Sequence, residues 1–141
     1  MKKILLLLVA LLTAANLCFA ADGGALNKAQ KSVDTMLAVF DGSNLPDYGS
    51  LASVMAAPLK EKFGAKEYEA LQKQVKEKFG RMTEAKFVVF ERFDKADRLT
   101  YLGSYTKEKI VTMVFGFDKN GKLTDFALAP HKQSQQPQER K

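Results

Sequence analysis

The hydrophobic residues of this chain keep two rhythms, and the change from one to the other near Arg81 limits the fold to helices followed by strands. Before that point apolar side chains recur every three or four residues. After it they recur at every second residue, in segments dense in β-branched and aromatic types. A helical stripe and a pleated face each need a surface to bury against. The expected fold is therefore α+β, with about three N-terminal helices packed on one face of a four-stranded antiparallel meander sheet.

The first stripe runs from Leu26 to Phe40, where Ala29, Val33, Met36, Leu37 and Phe40 fall on one side and Asp41-Gly42 supplies a stop. Ser43 to Asp47 reads as a turn. It feeds a shorter pattern of Tyr48, Leu51, Val54 and Met55, which Pro58 interrupts before Leu59 and Phe63. From Ala65 to Phe79 the residues Tyr68, Leu71, Val75 and Phe79 again share a side. Lys-Glu-Lys-Phe-Gly occurs twice, ending at Gly64 and at Gly80. Two copies are too few for a solenoid. Each is expected to end a helix, with lysines at the negative end of the dipole, Phe as the last anchor and Gly as a left-handed cap.

Four strands are expected at Phe87 to Phe93, Leu99 to Tyr105, Ile110 to Phe117 and Leu123 to Leu128. The links Asp94 to Asp97, Thr106 to Glu108 and Asp118 to Gly121 carry turn chemistry. Asp118-Lys119-Asn120-Gly121 lacks the later glycine and glutamate of a calcium loop, so it reads as a hairpin turn. Strict alternation sets Phe87, Val89 and Phe93 against Val88 and Phe90, and Val111, Met113, Phe115 and Phe117 against Ile110 and Val114. Strands apolar on both sides imply a second face that is also covered, by a curled sheet enclosing a pocket, a partner subunit or the chain's own terminal segments.

The first twenty residues have another pattern. Lys2 and Lys3 precede an apolar run from Ile4 to Ala15, too short to span a bilayer comfortably, and Cys18-Phe19-Ala20 places small residues where a signal peptidase reads. Residues 1–20 are expected to be a signal peptide cleaved after Ala20, which sends the protein to the periplasm or the exterior with no stable membrane span. Lipidation at Cys18 is the alternative, although Leu17 occupies the place where such sites carry Gly or Ala. Residues 21–25 form a linker, 26–129 a single domain and 130–141 a polar tail expected to be disordered.

Cleavage after Ala20 removes the chain's one cysteine, and with it disulfides, thiolate metal sites and cysteine nucleophiles. Removing Lys2 and Lys3 from the 22 Lys and Arg leaves 20 against 16 Asp and Glu, a formal charge of +4. These cations are interleaved with acids, as in Lys60-Glu61-Lys62, which reads as a solvated helix face rather than a nucleic-acid stripe. The one histidine, His131, lies in the tail, and no carboxylate cluster has ligand spacing, so no metal, cofactor or catalytic residue is assigned.

An enzyme on such a scaffold needs a carboxylate in an apolar cavity and a hydroxyl nearby. Asp125 with Tyr101 or Tyr105 comes nearest, because Asp125 shares parity with Leu123 and Ala127. The alternative is a rim carboxylate pairing with Arg98 or Lys109 across strands. Glu91 interrupts its apolar strand in the same way. Gly103 between Tyr101 and Tyr105 leaves a gap where a ligand or another chain's side chain fits, or else simply relieves sheet bending. The candidate ligand contacts are Tyr101, Gly103, Tyr105, Met113, Phe115 and Asp125.

The order of elements from Leu26 to Leu128 resembles small exported bacterial proteins with a nuclear-transport-factor-2-like, or cystatin-like, fold. The resemblance rests on Ser32 to Leu37, Asn44 to Leu51 leading into Met55 and Leu59, Tyr68 to Phe79, and the strand Ile110 to Asp118 with its Lys-Asn-Gly turn. It implies a pocket or dimer interface between helices and a concave, cone-like sheet, and no particular reaction. The short interval from Met55 to Ala65 has little room for the extra hairpin of larger members, which implies a shallow pocket. The expected function is a non-enzymatic binding module for a small apolar ligand or a protein partner. A small isomerase- or dehydratase-like enzyme and a self-associating envelope protein, a homodimer through the second sheet face, are the alternatives.

Overall fold

A computed structural model describes residues 23–132. The expected leader, the cleavage site, Cys18 and the tail from residue 133 onward lie outside the described residues. The chain is α+β: a helical N-terminal part packs against an open sheet of four antiparallel strands in the order β1-β2-β3-β4. Helix α1 covers residues 23–41. It is followed by α2 (Tyr48–Ser53), α3 (Ala57–Lys62) and α4 (Ala65–Lys78), then β1 (Met82–Arg92), β2 (Asp97–Tyr105), β3 (Val111–Phe117) and β4 (Leu123–Pro130).

Where three helices are expected there are four among the described residues, because the chain breaks after Ser53 and restarts with Pro58 in the first turn of α3. Asp47 caps α2 by accepting a bond from the Ser50 N–H at 2.7 Å. Of the two repeat glycines, only Gly80 is left-handed, with φ 83°. Gly64 has φ −95° and begins α4 instead, its N–H donating to Glu67 Oε2 at 2.9 Å. The same five letters end one helix at their last residue and open another, because the chain turns immediately into α4 after Gly64.

The core lies between α1 and the sheet. Ala29, Val33, Met36 and Phe40 of α1 are buried against Leu99 and Tyr101 of β2 and Val111, Met113, Phe115 and Phe117 of β3. An aromatic row crosses this interface. Phe40 stacks on Phe115 at 6.3 Å, Phe115 meets Tyr101 edge-on at 6.3 Å, and Tyr101 meets Phe87 edge-on at 5.7 Å. Helix α4 adds Tyr68, Val75 and, at its end, Phe79, which packs on Tyr105 at 5.7 Å between ring centres.

Single-residue bulges decide which way side chains point: one at Thr83 near the start of β1, and two more that set the faces of the candidate residues. In β1, Phe87 pairs with Tyr101 and Val89 with Thr100, so Val88 is an extra residue. In β4, Leu123 pairs with Phe117 and Asp125 with Gly116, so Thr124 is extra. Beyond each bulge the in-out alternation is inverted relative to simple parity. Phe87 and Phe90 therefore share the core side, while Lys86, Val89 and Glu91 face away from it. β1 also begins at Met82, five residues before its aromatic run, because β2 supplies a ladder for Met82 to Lys86.

All four described helices lie on one side of the sheet. The expected cover over the second face is absent among the described residues, and the two-sided apolar pattern of β1 that suggested it is largely the product of the Val88 bulge. β4 runs on to Pro130, and His131 N–H still donates to Ile110 C=O at 2.9 Å, so order extends past the expected start of the tail.

Candidate functional site

Five of the six candidate contacts belong to the interior. Tyr101, Gly103, Tyr105, Met113 and Phe115 are buried on the helix-covered face. The gap beside Gly103 is filled from within: a Cβ there would lie 2.7 Å from the Tyr105 ring and 2.9 Å from Met113 Cε. The Tyr105 hydroxyl reaches Met113 Sδ at 3.2 Å, and the Tyr101 hydroxyl donates to Gln30 Oε1 of α1 at 2.9 Å.

Asp125 stands on the opposite face, where the Thr124 bulge turns it. Its carboxylate lies flat over Gly116, so that a Cβ at residue 116 would overlap it at 1.8 Å. The sheet thus separates Asp125 from both tyrosine hydroxyls, and the carboxylate–phenol pair that an isomerase-like site requires is not assembled. The cross-strand ion pair foreseen for Asp125 with Arg98 is made instead by Glu91, 2.7 Å from Arg98 Nε. The bond to Arg98 holds the Glu91 carboxyl below its usual range, and its exposed position gives it the character of a surface ion pair rather than a base.

Burial pushes the phenols of Tyr105 and Tyr101 above the usual tyrosine range, Tyr105 by far the more. Tyr101 is drawn partly back by its bond to Gln30. The folded state therefore holds these protons more tightly than the unfolded chain does. The stability they contribute is complete below the ordinary tyrosine range and declines from there as pH rises toward the raised folded values. Urea midpoints measured from about pH 8 to about pH 11 are expected to fall, and Tyr105→Phe is expected to flatten part of that fall. An identical slope in Tyr105→Phe would show that the phenol is not the source.

Sequence reading missed Asp97, which was placed in a turn. It is buried at the start of β2, and its Oδ1 accepts from Lys119 Nζ at 2.8 Å and faces Arg92 Nε at 3.4 Å. Lys119 also bonds the carbonyls of Phe93 and Ala96, tying the β1–β2 turn to the β3–β4 turn. Only the Asp97 carboxylate is buried, with both cations reaching solvent, and the Lys119 side chain serves to hold the two turns together. Asp97 paired with a distant lysine leaves no mark in local sequence.

Among the described residues, the outer sheet face stands open. Ladder register places Val89, Thr100, Val114 and Ala127 in one row and Lys86, Leu102, Thr112 and Ala129 in the next. Rows of charge and small residues flank them: Glu91, Arg98, Gly116 and Asp125 on one side, Glu84 and Ser104 on the other. His131 closes a corner, its Nδ1 2.9 Å from Thr112 Oγ1. The centre is flat, small and largely apolar.

Three depressions among the described residues are notable. One of about 250 Å³ lies between the end of α1 and α4, floored by Val39, Phe40 and Val75 with Lys76 and Arg81 at its margin. Others of about 180 and 170 Å³ lie at Leu71, Phe79 and Phe126 and at Lys86, Leu102 and Ile110. All three are below the roughly 300–1,000 Å³ of ordinary small-molecule sites. Among the described residues no group of three His, Cys, Asp or Glu could hold a metal ion, and no helix is long and apolar enough to cross a membrane. No family model, curated protein or solved structure matches this chain.

Proposed function

We propose that this chain is an exported, non-enzymatic binding module whose working surface is the outer sheet face and whose partner is another protein. The observation that carries the reading is the flat Val89-Thr100-Val114-Ala127 and Leu102-Thr112-Ala129 surface, left bare by every described helix. A surface of β-branched and small residues matches another flat surface, and the depression of about 170 Å³ at its Lys86–Leu102 end is small for an ordinary small-molecule site. Export rests on the Lys2-Lys3 and Ile4 to Ala15 pattern, and the nuclear-transport-factor-2-like or cystatin-like relationship on the order of elements.

Photo-crosslinking in the producing cell tests this reading. A photoreactive residue at Thr112 is expected to trap a defined protein adduct, whereas one at Glu69, exposed on α4, is not. Val114→Lys, at the centre of the outer face, is expected to reduce the Thr112 adduct by about tenfold or more while costing no more than about 1 kcal/mol of stability in urea unfolding. Equal labelling from Thr112 and Glu69, or an adduct indifferent to Val114→Lys, would sink the outer face as the binding surface.

A further inference from the structure

The two edges of the sheet are treated differently. At β4, Leu123 N–H donates to Val54 C=O and Ala56 N–H donates to Leu123 C=O, both at 2.8 Å, so the chain between α2 and α3 covers the start of that edge, and Pro130 ends it. At β1, no described segment pairs with the outer edge of an 11-residue strand. The same strand and its end hold four of the five large hydrophobic residues exposed in the domain. Phe87 is 48% exposed, Val88 48%, Val89 39% and Phe93 49%.

Lys86-Phe87-Val88-Val89-Phe90-Glu91 reads the same in chemistry from either end, with opposite charges at the two ends. In an antiparallel pair of identical strands related by a two-fold axis normal to the sheet, facing residues must lie on the same side. Positions 87 and 90 are three apart, and in a regular strand they would point to opposite sides. The Val88 bulge removes this obstacle, since Phe87 and Phe90 both face the core side and Lys86 and Glu91 both face the outer side. A lysine on an edge strand ordinarily discourages pairing. In this register each Lys86 instead meets Glu91 of the second copy, which already bonds Arg98 of its own chain.

We infer that two copies of the chain associate edge to edge through β1, pairing Lys86 with Glu91, Phe87 with Phe90 and Val88 with Val89 across a two-fold axis at the bulge. The ladder is interrupted at the bulge and resumes on both sides of it. The two sheets become one of eight strands, and the outer faces become one continuous surface. A contact of six residues per copy is small, so the association is expected in about the micromolar range.

Charge reversal gives the decisive experiment, because the two ends of the segment are interchangeable between copies. In sedimentation equilibrium the full chain is expected to reach twice its own mass. Lys86→Glu alone and Glu91→Lys alone each place like charges opposite one another twice, and each is expected to weaken dimerisation about tenfold or more. Mixing the two variants restores opposite charges at both contacts, and the mixture is expected to dimerise as the parent does. Both positions reach solvent, so unchanged circular dichroism and urea midpoints confirm that neither variant acts by unfolding.

A monomeric parent, including one whose edge is covered by its own terminal segments, overturns the inference. So does a dimer indifferent to Lys86→Glu, or a mixture that stays monomeric. Val114→Lys, two strands away, is expected to leave the dimer intact; loss of the dimer there would place the interface on the outer face and overturn the edge pairing. Binding through the outer face stands or falls separately, by the Thr112 adduct.

Discussion

Phe115→Ala is expected to remove about 3–5 kcal/mol of stability, the cost of truncating a fully buried aromatic in a core that relaxes only in part. Phe115 has no exposed surface, occupies the middle of β3 and touches rings on both sides, Phe40 from α1 and Tyr101 from β2. Its removal takes away the contact that joins the helical layer to the sheet. For a domain whose whole stability is on the order of 5–15 kcal/mol, that loss leaves the fold marginal. Urea unfolding checks the figure, with Val114→Ala on the outer face as the comparison, expected to cost about 1 kcal/mol or less. A loss below about 1 kcal/mol in Phe115→Ala would mean that the ring lines an adaptable cavity rather than a packed interior. The experiment thus also decides between the two roles open to Phe115 in the sequence, ligand contact and core anchor.

Rhythm in the sequence was enough to find the layers. The stripe of Ala29, Val33, Met36 and Phe40 is the buried face of α1, and Leu99, Tyr101, Val111, Met113, Phe115 and Phe117 form the sheet's buried face. Those assignments hold because β2 and β3 are central strands whose ladders run without a bulge until their far end. On the edge strands the same reasoning fails at bulges, at Thr83 and Val88 in β1 and at Thr124 in β4. An extra Val88 puts Val89 on the outer side rather than beside Phe87, and an extra Thr124 puts Asp125 outside while Leu123 stays in. A bulge is fixed by pairing with the neighbouring strand and has no necessary mark in the residues themselves. Position-by-position parity therefore pointed Asp125 toward the tyrosines, and the enzyme alternative depended on that single inversion.

Gly103 was misleading for a different reason. A glycine between two tyrosines on one strand face looks like a vacancy when only that strand is considered. In the folded chain the side chain of Met113, on β3 directly opposite Tyr101, leans into the space together with the Tyr105 ring. The vacancy is where a long flexible thioether is accommodated, which is what methionine does well in irregular cores. Local sequence shows the hole; only the register shows what fills it. The open outer face, by contrast, was partly legible, since Thr100, Thr112 and Val114 alternate with core residues. What could not be read was that no described helix returns to cover it.

Gly121→Ala is expected to cost about 3–4 kcal/mol, far more than a left-handed glycine alone explains. Gly121 has φ 77° in the β3–β4 turn, where Asp118 Oδ1 accepts from the N–H groups of Asn120 and Lys122, both at 2.9 Å. A Cβ at residue 121 would lie 2.6 Å from Lys28 Cβ and 2.9 Å from the Lys28 carbonyl carbon, so helix backbone rather than a pliable side chain opposes it. The Gly121 carbonyl also accepts a buried bond from the Ser32 hydroxyl at 2.7 Å, which depends on the same close approach. Gly42 supplies the control. It has φ 71° with nothing within 4 Å of an added Cβ, so Gly42→Ala carries the backbone penalty alone, about 1–2 kcal/mol. A gap of about 2 kcal/mol between the two variants in urea unfolding measures the pressure of α1 on the turn. Equal costs would mean that α1 can lift away from the sheet freely, and the packing of the helical layer at that end would then have to be assigned to the Tyr101–Gln30 bond instead.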